Sequence, residues 1–135
     1  MFVALRCSEV LLCTVLVYVS TASCQLKVSS FIGDDVLLPC VYAENEPLPE
    51  KVSVFWRDKD DNIVLDIRNN APDTSSNQMF RGRVVSFPEL YRAGNFSIMM
   101  TDVRQSDSSQ YDCHIPAVDF QQRIVLIVSG PEQVT

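Results

Sequence analysis

The sequence contains a single histidine, His114, and this scarcity excludes several kinds of chemistry. His114 is the only imidazole that could serve as the base of a serine triad, and one histidine offers too few ligands for a typical zinc site. Cys113 stands directly before His114, and a thiol beside an imidazole is a known catalytic pairing. In an extended strand, however, neighbouring side chains point to opposite faces, so a Cys113 that turns into the core leaves His114 on the other side. The sequence therefore predicts no enzyme, no bound metal, no cofactor and no small-molecule substrate.

Positive charge is also scarce. Lys and Arg total 11 against 17 Asp and Glu, which gives a formal net charge of -6. Nucleic acids and anionic membrane surfaces are bound through basic stripes that neutralise phosphates, and the sequence contains no such stripe. This composition argues against both kinds of partner.

Long apolar runs are absent after residue 24, so the chain as given contains no predicted transmembrane helix, which needs about 20 apolar residues. Residues 1–24 themselves have the layout of a secretory signal peptide. They carry Arg6 near the start, an apolar run at residues 10–19 that is too short to cross a bilayer, and small residues before Cys24. Cleavage is expected after Cys24 or after Ala22. The second site would leave Cys24 as an odd thiol that could pair between chains.

Two cysteines, Cys40 and Cys113, remain when cleavage follows Cys24. An even pair in a secreted chain predicts a disulfide, because the secretory route is oxidising. Trp56 follows the first of these cysteines, and Tyr111 stands two positions before the second. This ordered set is the core pattern of an immunoglobulin sandwich. In that pattern the disulfide joins two facing sheets, the indole packs against it, and the tyrosine hydroxyl turns back to the backbone at a strand corner.

Short alternating apolar runs, separated by turn residues, fill the sequence from residue 25 onward. Alternation of this kind predicts β-strands, with room for one further edge strand in residues 69–77. Pro39 cannot donate to a ladder and indicates a non-bonded position or a bulge in the first strand. The predicted strands cover residues 36–40, 52–58, 63–68, 83–87, 96–100 and 121–128.

The strand at 63–68 distinguishes the variable type of immunoglobulin domain from the shorter constant type. The predicted fold class is therefore all-β, an immunoglobulin variable-type two-sheet antiparallel sandwich with one inter-sheet disulfide. The domain is expected to span residues 25–130, and residues 131–135 are expected to begin a linker or a C-terminal tail.

An ion pair is expected between Arg83 and Asp107 at the base of this domain. The guanidinium fork of a partly buried arginine can meet both oxygens of a carboxylate at once, and the expected role is structural.

Asn95 begins the one N-glycosylation sequon of the sequence, Asn-Phe-Ser. It follows a glycine in a predicted turn, where a glycosyltransferase can reach it. We therefore expect it to be used in a secreted chain.

The strand at 121–128 is apolar at each position from residue 124 to residue 128. By alignment with the end of variable domains, Ile124, Leu126 and Val128 fill the core, so Val125 and Ile127 face outward. Exposed apolar residues on one sheet face indicate a protein contact surface. The alternatives are that they are scattered surface hydrophobics, or that a neighbouring domain covers this face. The predicted partner-binding face comprises Phe55, Arg57, His114, Phe120, Val125 and Ile127.

Several runs go beyond the general pattern of the fold. They are LPC in the first strand, VFWR around Trp56, FRGRVVSF, SFPELYRAGN and GNFSIMMTDVRQSDSSQYDC. Over residues 25–128 they resemble the first variable-type domain of the butyrophilin and T-cell co-signalling ligand family. The last strand also lacks the Gly-x-Gly bulge that antigen-receptor joining segments carry.

This resemblance implies an extracellular ligand whose domain binds a protein receptor on T cells and modulates T-cell activation and cytokine production. Members of that family normally continue into a constant-type domain and a membrane span. The expected location is therefore the external side of the plasma membrane if the chain is part of a longer protein, and secretion if it is complete. The rival hypothesis is a cell-adhesion or immune-receptor module of the same fold, whose outward face makes homophilic contacts and forms a homodimer.

Overall fold

The computed structural model describes residues 25–73 and 75–130. The predicted signal peptide, with Cys24, and the predicted tail at 131–135 lie outside the described residues. Within the described part of the chain, no helix has the length and apolar character needed to cross a membrane.

Nine β-strands and three short 3₁₀ helices form the regular structure of the described residues. The 3₁₀ helices are Pro88–Ala93, Gln105–Asp107 and Pro116–Val118. The strands are β1 (Gln25–Phe31), β2 (Val36–Leu38), β3 (Val54–Arg57), β4 (Ile63–Arg68), β5 (Ala71–Asp73), β6 (Val84–Ser86), β7 (Ile98–Met100), β8 (Ser109–Ile115) and β9 (Phe120–Ser129).

The strands form two sheets. The large sheet has six strands in the order β1-β9-β8-β3-β4-β5, and the small sheet has three in the order β2-β7-β6. Neighbouring strands are antiparallel, apart from β1, which runs parallel to β9. The predicted all-β, variable-type sandwich is confirmed. The parallel β1–β9 pair is a feature that the sequence prediction did not contain.

Strand boundaries agree best with the prediction where alternation is strongest. The strand predicted at 63–68 coincides with β4, and the further edge strand expected in residues 69–77 is β5. The strand predicted at 52–58 is shorter in the structure, because the Val52 N–H bonds to the side-chain oxygen of Asn70 instead of entering a ladder. In β9, Ile124, Leu126 and Val128 are buried as predicted.

The disulfide between Cys40 and Cys113 joins the two sheets, as predicted. Trp56 of β3 lies opposite Cys113 in the strand register and is fully buried. Its indole N–H donates a hydrogen bond to the backbone oxygen of Phe96 at 3.0 Å. The buried ring therefore fills the core without leaving its one polar group unsatisfied.

Pro39 ends the regular pairing of β2 one residue before Cys40. The Cys40 N–H then donates to the hydroxyl oxygen of Ser97 at 3.0 Å, and the Cys40 carbonyl accepts from the Phe96 N–H at 2.8 Å. A buried hydroxyl thus satisfies the backbone beside the proline, where regular strand pairing stops. This is the irregularity that Pro39 indicated in the sequence.

The base of the domain is organised around the Asp107 carboxylate. Its two oxygens accept hydrogen bonds from Arg83 at 2.9 and 3.0 Å, and the Arg104 backbone N–H donates to it at 2.8 Å. Tyr111 donates its hydroxyl hydrogen to the backbone oxygen of Asp107. The hydrogen bonds from Arg83 to Asp107 raise the pKa of Arg83, and burial raises the pKa of Tyr111, so both stay protonated donors. The structure thus contains the Arg83–Asp107 pair and the tyrosine corner expected from the sequence.

Candidate contact surface on the large sheet

A row of side chains crosses five strands on the outward face of the large sheet. In the strand register, Phe55 of β3 lies opposite Asp66 of β4 on one side and His114 of β8 on the other. Asp73 of β5 and Gln121 of β9 complete the row. Because side chains alternate along each strand, this row lies on the face of the sheet away from the core.

Asp66 organises the centre of this face. Its carboxylate accepts hydrogen bonds from Arg57 Nη1 at 2.5 Å and from Arg68 Nη2 at 2.9 Å, and its side chain is only 3% exposed. A carboxylate removed from water is stabilised when guanidinium groups replace the lost hydration. Asp66 therefore fixes two arginine side chains on neighbouring strands.

Phe55 lies against both of these arginines. The ring centroid is 5.5 Å from the guanidinium carbon of Arg57 and 5.4 Å from that of Arg68. Both distances are within the range of cation–π attraction. Together with Asp66, these residues form a unit that we name the arginine cluster: Phe55, Arg57, Asp66 and Arg68.

Further ion pairs flank the arginine cluster on both sides. Arg68 Nε lies 3.3 Å from the Asp73 carboxylate. Hydrogen bonds from the backbone and hydroxyl of Ser75 lower the pKa of Asp73, which keeps it ionised. On the other side, Arg123 of β9 pairs with Asp112 of β8 at 3.0 Å. The face therefore presents charges of both signs from β5 to β9.

The arginine cluster is suited to protein recognition. Arginine and aromatic side chains are enriched among the residues that dominate binding energies at interfaces. Hydrogen bonds to Asp66 hold the side chains in place before a partner arrives, so less side-chain entropy is lost on binding. Arg68 is more than half exposed and can meet a carboxylate or a carbonyl oxygen of a partner.

Val125 and Ile127 lie on the same outward face but away from the arginine cluster. The β8–β9 register sets Val125 opposite Gln110, which is four residues along β8 from His114, or about 13 Å along the strand. Ile127 is exposed. Phe31 of the neighbouring strand β1 is also exposed and lies one step further along the same face of the sheet. The predicted face is thus divided into two patches. His114 belongs with the arginine cluster, and Phe31, Val125 and Ile127 form what we name the apolar edge.

Phe120 does not belong to the outward face, contrary to the sequence prediction. It is the first residue of β9 and lies opposite the buried Ile115. Counting back by twos from the core residue Ile124 also puts Phe120 on the inward side. Its ring packs edge-on against Tyr42, with the ring centroids 5.3 Å apart. The prediction was wrong because it treated Phe120 as a loop residue, and strand alternation was not applied to it.

Asn95 is less accessible than its sequence context indicated. It forms an isolated bridge with Val41, and its side-chain oxygen accepts a hydrogen bond from the Ser97 N–H at 3.1 Å. Ser97, the third residue of the sequon, is buried, and its hydroxyl holds the Cys40 N–H. A glycosyltransferase that recognises this hydroxyl must therefore act before the contact between β2 and β7 forms.

We expect Asn95 to carry an N-linked glycan when the chain is secreted from animal cells, because the sequon enters the secretory route unfolded. Endoglycosidase digestion with intact-mass measurement should remove one glycan from the wild type and none from Asn95→Gln. Ser97→Ala should also lose the glycan, and in addition about 1–3 kcal/mol of stability, because the Cys40 N–H loses its buried acceptor. A folded, secreted wild type without a glycan would show this prediction to be wrong.

The described residues contain no group of three or more His, Cys, Asp or Glu arranged to hold a metal ion. Cys113 is bonded to Cys40, and the neighbouring His114 lies on the opposite face of β8. The residues that the sequence offered for nucleophilic chemistry are therefore separated by the fold.

Comparison with known proteins identifies the type of domain. A family model described as the immunoglobulin V-set domain matches residues 25–129. The CD276 antigen homolog of Xenopus laevis is 31% identical over 98 residues, covering 67% of this chain and 30% of that protein. The V-set domain-containing T-cell activation inhibitor 1 of Homo sapiens is 27% identical over 85 residues, covering 62% of this chain and 30% of that protein. The matched region thus spans less than a third of either relative.

A solved structure shows the same architecture. The crystal structure of the human B7-H4 IgV-like domain superposes with a TM-score of 0.64 and 22% identity. The match covers 78% of this chain and 92% of that one. At this level of identity the likeness concerns the fold.

Proposed function

The chain belongs to the immunoglobulin V-set family, and from that premise we propose that its domain is the receptor-binding part of an extracellular co-signalling ligand. In this proposal it binds a protein receptor on T cells and modulates T-cell activation and cytokine production. The resemblance to the T-cell co-signalling ligand family is confirmed by the family model and by the two relatives. A V-set domain of this kind is an extracellular binding module and not an enzyme.

The observation that carries the proposal is the arginine cluster. Elsewhere on the outward face of the large sheet, Arg123 forms one ion pair with Asp112, Lys27 is exposed, and the apolar side chains lie at an edge. In the cluster, by contrast, an aromatic ring and two guanidinium groups are fixed together by the buried carboxylate of Asp66. Such a preorganised group favours strong binding to one protein partner over weak contacts with many.

The chemistry of the cluster also indicates what the receptor should offer. A carboxylate can pair bidentately with the exposed guanidinium of Arg68. An aromatic or aliphatic side chain can pack against the ring of Phe55 once the complex excludes water. We therefore propose a receptor surface with an acidic residue beside an apolar one.

Staining of activated T cells with a fluorescent multimer of the domain tests this function. We expect the wild type to stain and Arg68→Glu to lose most of the signal, because the new carboxylate repels the acidic residue of the receptor. Arg92→Glu reverses another exposed positive charge, outside the large sheet, and serves as the matched control. Absence of staining by the wild type, or equal loss in both variants, would count against the proposal.

A homophilic adhesion module is the second candidate, and the apolar edge favours it. Phe31 and Ile127 are exposed and lie diagonally on the neighbouring strands β1 and β9, and the half-buried Val125 stands two residues before Ile127. Aggregation of beads coated with the domain tests this function. Adhesion becomes the better-supported function under three results together: the beads aggregate, Val125→Lys and Ile127→Lys abolish the aggregation, and T cells are not stained.

A further inference from the structure

A cleft opens at the end of the sandwich opposite the base that Asp107 organises. It lies between the loop at residues 44–50, which precedes β3, and the 3₁₀ helix Pro88–Ala93, and its volume is about 640 Å³. Ligand sites in proteins occupy roughly 300–1,000 Å³, so the cleft has room for a side chain and the backbone on either side of it. Its lining includes no residue of the arginine cluster or the apolar edge. The cleft is therefore a separate place at which the domain can meet a ligand.

Hydrogen bonds fix both walls of this cleft. The Tyr42 hydroxyl donates to the backbone oxygen of Glu46 at 2.5 Å, and the Asn70 side-chain nitrogen donates to that of Glu50 at 2.8 Å. The Tyr42 N–H donates to the Gly94 carbonyl oxygen at 2.8 Å, which ties the loop to the end of the helix. A Cβ on Gly94 would lie 2.4 Å from the Tyr42 backbone oxygen, so this approach requires glycine. Because the walls are held in place before a ligand arrives, binding costs less ordering.

The deeper part of the cleft is apolar. Val52 and Tyr91 line it and are buried, and the half-buried Leu48 lines it while packing against the core. The Tyr91 hydroxyl is already hydrogen-bonded to the hydroxyl of Ser86. What these residues offer a ligand is therefore mainly hydrocarbon, which suits the stem of a long side chain whose charged head stays near water.

Negative charge dominates the rim of the cleft. Glu44, Glu46 and Glu50 are exposed lining residues, and Arg92 is the one cation among the described residues that line it. Within the described part of the chain, none of these three carboxylates has a cationic partner within ion-pair distance. Burial, and then the charges of Glu46 and Glu44, raise the pKa of Tyr42, so two of the carboxylates act on the same hydroxyl. A rim of this charge attracts a cationic group.

We propose that the cleft binds an arginine side chain of a partner protein. The rim carboxylates can pair with the guanidinium group, and the apolar interior can cover its aliphatic stem. A guanidinium is more weakly hydrated than an ammonium, so it enters a partly apolar cleft at a lower cost than lysine does. The formal charge of -6 on the whole chain also draws a basic segment towards the domain. This inference does not rest on the proposed function, because the arginine cluster lies elsewhere.

NMR titration of the isotope-labelled secreted domain with the blocked tripeptide Gly-Arg-Gly tests the cleft. We expect saturable shifts of the Glu50 and Gly94 amides. The same tripeptide with citrulline in place of arginine has a similar shape without the charge and should cause no such shifts. The double variant Glu46→Gln and Glu50→Gln should weaken binding about fivefold, because it removes two charges that pair with the guanidinium across a solvated rim.

Glu89→Gln is the matched control for the double variant. Glu89 is an exposed glutamate of the 3₁₀ helix beside the cleft but does not line it, so this variant should bind like the wild type. All three glutamates are exposed, so the melting temperatures should stay close to that of the wild type.

Three results would overturn the proposal. One is the absence of saturable shifts at the cleft with Gly-Arg-Gly, and another is equal binding of the arginine and citrulline tripeptides. The third is a double variant that loses no more binding than Glu89→Gln, which would indicate only general attraction to an acidic domain. If the tripeptide fails and spermidine produces the shifts, the ligand is a free polyamine and not a partner protein. T-cell staining is measured separately, so failure at the cleft leaves the proposed function untouched.

Discussion

Replacing Asp107 by alanine is expected to lower the free energy of unfolding by roughly 3–5 kcal/mol. The substitution removes both hydrogen bonds that Arg83 makes to the carboxylate and the acceptor of the Arg104 N–H. The Arg83 side chain is only 10% exposed, so its charge would be left largely desolvated without a counter-ion. Because small domains are stable by about 5–15 kcal/mol in total, this loss is a large fraction of the whole. Urea unfolding of the disulfide-bonded domain measures it.

Asp60→Ala is the matched control for this experiment. Asp60 also pairs with a cation, Lys59 at 3.5 Å, but both side chains are mostly exposed. Water already solvates such a pair, so its loss should change stability by less than about 0.5 kcal/mol. If Asp107→Ala costs no more than Asp60→Ala, the network at the base of the domain contributes little to stability.

Replacing Phe55 by alanine is expected to weaken receptor binding roughly 30-fold, the effect of losing about 2 kcal/mol at an interface hot spot. The ring supplies the apolar contact of the arginine cluster and the surface on which Arg57 and Arg68 lie. It points away from the core, so the domain should still fold. Titration of the fluorescent multimer on activated T cells gives the change in affinity, and thermal unfolding verifies the fold.

Met79→Ala is the control for Phe55→Ala. Met79 is an exposed apolar residue outside the six strands of the large sheet, so its truncation should leave affinity within about twofold of the wild type. Equal affinities for Phe55→Ala and the wild type would show that the receptor does not contact the arginine cluster.

The core of the fold could be predicted from the sequence because its residues have few other uses. A tryptophan and two cysteines, with alternating apolar residues between them, are best buried together in a sandwich. The disulfide, the buried Trp56 and the limits of β4 follow from such patterns, and the inward residues of β9 follow from alignment with the end of variable domains.

The candidate contact surface was harder to predict, because it depends on which strands are neighbours and in what register. Asp66 and Arg68 were missed, although both lie in a predicted strand, since their pairing with Arg57 exists only once β3 and β4 are aligned. The alignment includes a register irregularity after Trp56 that alternation alone does not indicate. Phe31 was missed for a similar reason, because the parallel pairing of β1 with β9 joins the two ends of the domain.

In the proposed function, the arginine cluster engages a receptor protein on T cells and thereby changes T-cell activation. Cytokine secretion by stimulated T cells on surfaces coated with equal amounts of the wild type or Phe55→Ala tests it most directly. We expect the wild type to raise or lower secretion relative to an uncoated surface, and Phe55→Ala, although folded, to lose most of that effect. No change with the wild type, or the same change with both proteins, would contradict it.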